Sequence, residues 1–138
     1  MKVKKIHPYI FVTGGHKICS IKEFAQIEVP RFAPNEYNVF IKSTMVNIPV
    51  KSGYALLIEI ARDLDGRYYI GCDYATPTGG GSSGASISRL FYRTQEKAFL
   101  GGLEYATRFA NIKELDGYIA AAKREFFKHH HKQLSLFD

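Results

Sequence analysis

Two alternating apolar runs joined by a tight turn constrain this chain more than any other feature. In the stretch Tyr54–Arg62, the residues Tyr54, Leu56, Ile58 and Ile60 recur with a period of two. In Arg67–Tyr74, Tyr68, Ile70, Cys72 and Tyr74 do the same. Between them stands Asp63-Leu64-Asp65-Gly66, where Gly66 accepts a positive φ and the aspartates bond local amides. These runs predict an antiparallel hairpin. Both of its faces are apolar, so each needs a cover, and a second copy of the chain is one expected cover. Glu59 falls out of phase with the core positions and reads as a solvent-face residue.

Three further stretches read as strands. Residues 18–29 are preferred as a strand bent near Lys22, with a short helix as the alternative. Tyr37–Val46 alternates through Val39, Ile41, Ser43 and Met45. Ala85–Tyr92 suggests a short edge strand, and the glycine run from Gly79 to Gly84 before it reads as a flexible loop. The period then changes from two to 3.6. Thr94 is placed to cap a helix carrying Phe99, Leu103, Ala106 and Ala110 on one face, with Glu96 in its first turn. Asn111 is expected to cap a second helix with Glu114 at its third position, and Ile112, Leu115, Ile119, Ala122 and Phe126 form its apolar stripe. The expected class is therefore α+β: a small antiparallel sheet of four or five strands, followed by two C-terminal helices packed on one face.

With 138 residues, the chain is long enough for one substantial core. Residues 1–128 are expected to form a single α+β domain with a basic N-terminal segment, and 129–138 a flexible tail. No stretch is apolar enough to suggest a membrane span or a secretory leader, which predicts a cytoplasmic protein. Cys19 and Cys72 are too sparse for a disulfide framework and read as buried reduced thiols. The formal charge is +6, and the surplus lies mainly towards the two ends. That distribution suits contact with a polyanion, nucleic acid foremost.

The chain closes on Gln133-Leu134-Ser135-Leu136-Phe137-Asp138. Leu136 and Phe137 are large apolar groups suited to a partner's pocket, Gln133 brings donors and an acceptor to fix register, and Leu134 bridges them. Ser135 is the small residue between the two leucines. The pentapeptide closely resembles the motif by which many bacterial replication and repair proteins dock on the sliding clamp of the DNA polymerase. In that pattern a Gln leads, a Leu follows, a small or acidic residue comes third and Leu-Phe closes. The resemblance covers only these five residues. It implies a non-enzymatic accessory protein of bacterial or phage DNA replication or repair, with a mobile-element origin suggested by association alone.

Lys42, Lys51, Arg67, Arg89, Arg93, Lys123 and Arg124 are the candidate DNA contacts. Tyr69, with Phe40, is the candidate for stacking bases on an open sheet face. Two other readings stand beside the accessory-protein one. A small metal-dependent nuclease would use Asp63, Asp65 or Asp73, although side-chain bonding within the turn explains the first two. A structural or protein-interaction module would pack its tail on its own domain or dimer. The glycine run lacks the lysine of a phosphate-binding loop. His129, His130 and His131 are adjacent in a helix end, so their rings diverge. No metal and no cofactor are expected.

Overall fold

The computed structural model describes residues 3–135, with side chains at 5–10 and 12–130. A hairpin comes first, β1 (Val3–His7) paired antiparallel with β2 (Ile10–Thr13). The strand β3 (His16–Cys19) leads into one turn of helix, α1 (Ile21–Phe24). After a long connection come β4 (Ser43–Asn47), β5 (Ala55–Arg62), β6 (Tyr68–Thr76) and β7 (Gly79–Ser83). Two helices follow, α2 (Gln95–Ala110) and α3 (Lys113–Ser135). The strands β3-β4-β5-β6-β7 form one sheet in that order. Every pairing is antiparallel except β3 with β4, which are parallel. The α+β class and the two C-terminal helices agree with the sequence reading.

The hairpin β5–β6 forms as its alternation dictates, with Ile58 opposite Cys72 and Ile60 opposite Ile70. Gly66 takes a φ of 88° in the turn. One sheet face carries Leu56, Ile58, Ile60, Ile70 and Cys72 into a core closed by Phe24, Phe99, Leu103, Leu115 and Phe126. Phe99 and Phe126 join α2 to α3 with ring centroids 4.8 Å apart, and Phe24 meets Phe99 at 5.2 Å. Rings at such separations add to the area they bury.

The second face is covered by the chain itself. The β1–β2 hairpin packs Ile10 and Val12 on Met45, Leu57 and Ala75. Towards the other end, Phe40, Ala61, Tyr69 and Ala85 bury one another. Thus the apolarity that suggested a homodimer is satisfied within one chain. Tyr69 and Phe40 are 3% and 2% exposed, so neither offers a ring to a base.

Local chemistry redraws five of the expected elements, and Ala85–Tyr92 makes only isolated bridges at Ser86 and Tyr92 in place of an edge strand. Residues 18–29 are not one strand, because Ser20 and Glu23 form a reciprocal capping box that starts α1. Residues 37–42 are not strand either. The Asn35 side chain accepts from the amides of Tyr37 and Val39, and Asn38 turns to a φ of 65°. The glycine run is the edge strand β7 rather than a loop. Tyr74 lies against Gly81, where an added Cβ would sit 2.6 Å from its ring. Asn111 ends α2 in a left-handed conformation and does not cap α3.

Candidate functional site

The terminal peptide lies at the far end of α3. Leu115, Ile119, Ala122 and Phe126 are buried, as their spacing requires. The helix does not stop at Lys128. It continues through Ser135, so the backbone of Gln133, Leu134 and Ser135 is helical, while Leu136 and Phe137 lie outside the described residues. His129 Nε2 lies 3.8 Å from Glu125, and His130 Nε2 lies 3.3 Å from Glu96. The two rings thus turn to different carboxylates. Among the described residues, no three His, Cys, Asp or Glu side chains are grouped to hold a metal ion.

The candidate DNA contacts are dispersed, with one exception. The Lys42 ammonium sits 5.4 Å over Phe32, and that of Lys51 4.6 Å over Tyr54 at the β4–β5 connection. Lys123 and Arg124 lie exposed on α3. Tyr69 is internal, with its hydroxyl donating to Asp63 at 3.2 Å. Arg67 and Arg93, in contrast, converge on one ring: their guanidinium carbons lie 5.2 and 5.6 Å from the centre of Phe91. The pairing of Tyr68 with Tyr92 brings them there. Arg89 follows the same segment and lies over Tyr105 at 5.5 Å.

The acidic residues of the nuclease reading are occupied by local structure. Asp63 Oδ1 accepts from the amides of Asp65 and Arg67, both at 2.9 Å. Asp65 is exposed on the turn, 3.9 Å from Arg67. Asp73 lies further along β6 and accepts from the hydroxyl of Ser82. Asp63 and Asp65 therefore serve the turn, as side-chain bonding alone would explain.

The sequence reading missed a polar centre beneath the second face. Glu59 is 3% exposed rather than solvent-facing. Ala85 N donates to its Oε1 at 2.7 Å and Ser43 Oγ donates to its Oε2 at 2.6 Å. His16 Nδ1 lies 2.6 Å from Ser43 Oγ and 3.4 Å from Glu59 Oε2. Burial pushes the Glu59 carboxyl above its ordinary range, against the pull of Ser43, Ala85 and His16. Of these groups, His16 and Glu59 border a cavity of about 470 Å³ that also touches Val12, Met45 and Asp73. The side chains are those of a hydrolytic triad, but the wiring is different. The serine proton goes to the carboxylate, and a single imidazole nitrogen faces both partners. The arrangement ties β3, β4, β5 and the segment after β7 together by satisfied polar bonds. The sequence signal was a lone carboxylate in the buried run Ala55–Arg62.

No family model, no curated protein and no solved structure is similar to this chain. No helix among the described residues is long and apolar enough to cross a membrane.

Proposed function

We propose that this chain is a non-enzymatic accessory protein of bacterial or phage DNA replication or repair. It docks on the sliding clamp of the DNA polymerase through Gln133-Leu134-Ser135-Leu136-Phe137 and contacts DNA through its basic surface. The observation that carries the reading is the pentapeptide, which meets the docking pattern at all five positions. Its placement supports the reading as well. The buried stripe of α3 reaches Phe126, and the peptide begins about two helical turns further on. Leu136 and Phe137 supply the apolar anchors and Gln133 the polar one. The nuclease reading draws no support from Asp63 and Asp65, which are engaged in the turn.

The test is a titration of a bacterial sliding clamp with the intact chain and with a chain ending at Lys132. Saturable binding by the intact chain, lost on truncation, is the expected result. Equal affinities, or no binding by either, would overturn the docking reading. The double variant Leu136→Ala/Phe137→Ala should behave as the truncated chain does.

A further inference from the structure

The end of the sheet where β5 turns into β6 is rich in arginine. Arg31 Nη1 donates to the Leu64 carbonyl in the turn, at 3.2 Å. Arg62 lies over Tyr68 at 4.9 Å and pairs with Glu28 at 2.7 Å. Arg67 and Arg93 stack on Phe91, and Arg89 lies four residues before Arg93 on the same exposed segment. The compensating charge is thin. Asp63 is buried in the turn, and Asp65 meets Arg67 only at 3.9 Å with both side chains exposed. Among the described residues, neither Arg89 nor Arg93 forms an ion pair with a carboxylate.

The same segment carries unusual apolar exposure. Leu90 is 89% exposed, more than any other large apolar residue described, and Phe91 is 41% exposed. A guanidinium held against a ring keeps its N–H edges free for phosphate oxygens. An exposed ring beside such groups offers a stacking surface to an unpaired base. Duplex DNA, whose bases are already stacked, would leave Phe91 and Leu90 unused.

We propose that Arg67, Arg89 and Arg93, with Phe91 and Leu90, form a binding site for single-stranded DNA. The arginines take backbone phosphates and Phe91 takes a base. The inference rests on the reading that this chain works at replicating DNA, and it narrows that reading to one surface and one form of the nucleic acid.

The test is fluorescence anisotropy of a labelled oligothymidine of about 16 nucleotides, titrated with the full chain from about 50 to 200 mM salt. Saturable binding that weakens with salt is expected. The double variant Arg67→Ala/Arg93→Ala should bind at least about tenfold more weakly, with the salt slope reduced by about 1.4, or about 0.7 for each lost phosphate contact. Phe91→Ala should lose about fivefold or more, with its salt slope unchanged, and Phe91→Tyr should retain binding. Thermal melting of each variant separates loss of binding from loss of fold. Failure of the wild type to bind the oligonucleotide would overturn the proposal, as would undiminished binding by the double arginine variant. Equal affinity for duplex DNA or for polyglutamate of matched charge would also overturn it. Clamp affinity of the arginine and Phe91 variants should equal that of the wild type. Failure of this site is thereby distinguishable from failure of the terminal docking peptide.

Discussion

Glu59 and Gly71 face each other across β5 and β6, and the carboxylate of the first occupies space that a side chain at the second would take. A Cβ on Gly71 would sit 2.7 Å from Glu59 Oε1, 2.5 Å from the Ser83 carbonyl oxygen and 2.8 Å from Ala85 N. Two of these three neighbours are backbone atoms of the adjoining segment, which cannot simply rotate away. The polar centre therefore depends on a glycine at this register position.

Gly71→Ala is accordingly expected to destabilise the fold by about 1–3 kcal/mol, the usual cost of overpacking a filled interior. Urea unfolding measures it. A variant as stable as the wild type would mean that the segment Ser83–Ala85 shifts freely, contrary to its bonding.

Glu59 also makes stability depend on pH in a defined direction. Burial raises its pKa above the ordinary value of 4.5, so the folded state holds the proton more tightly than the unfolded chain does. The stability contributed by this group is present below the unfolded pKa. It is lost as pH rises through the folded pKa. Glu59→Gln removes that titration. The stability of the wild type relative to Glu59→Gln should decline across this window, by no more than about 1.4 kcal/mol per pH unit, and level off above it. Denaturant unfolding of both proteins at a series of pH values reads the difference. A difference independent of pH would contradict the raised pKa.

How legible this fold was depends on where the signal lies. The β5–β6 hairpin and the stripes of α2 and α3 were readable because their apolar periods are long and continuous. Residues 37–42 misled because their alternation is genuine in sequence, yet the Asn35 side chain claims the amides of Tyr37 and Val39. The glycines of β7 carry no period, and their pairing depends on the ring of Tyr74 across the sheet. Tyr69 and Glu59 share one cause. Their strands were correctly placed, but the cover over the second face comes from β1–β2 and from loops distant in sequence. Out-of-phase residues thus became internal. Of the basic candidates, Arg67 and Arg93 converge on one ring, because the pairing between Tyr68 and Tyr92 brings them together.

The two thiols provide a probe of the first face, beneath the helices. Cys19 and Cys72 are both free and buried, at 3% and 0% exposure. Burial pushes their pKa values up to about 11 and about 12. At pH 8 neither is appreciably ionised, and neither is accessible. Iodoacetamide at pH 8 should leave the folded protein unmodified on a timescale at which both thiols react in urea, as read by intact mass. Rapid modification of Cys72 without denaturant would show that the sheet opens where β6 meets α2.

Asn111 gives a test of the junction between the two long helices. It stands at a φ of 51° and a ψ of 45°, in the left-handed region, as the last residue of the α2 cap. The turn continues at once, since Leu115 N bonds to the Ile112 carbonyl oxygen at 3.0 Å and α3 begins at Lys113. With so short a connection, the backbone has little room to relieve strain by moving residue 111 elsewhere. Asparagine tolerates this conformation, glycine adopts it without cost, and a β-branched residue resists it. Asn111→Gly should therefore be neutral or mildly stabilising, whereas Asn111→Val should cost about 1–2 kcal/mol. An N-cap at this position would reverse the reasoning, because there the side-chain oxygen would matter and the extended backbone of a cap would accommodate valine. Thermal and urea unfolding of the two variants, compared at one salt concentration, decides between a helix end and a helix start.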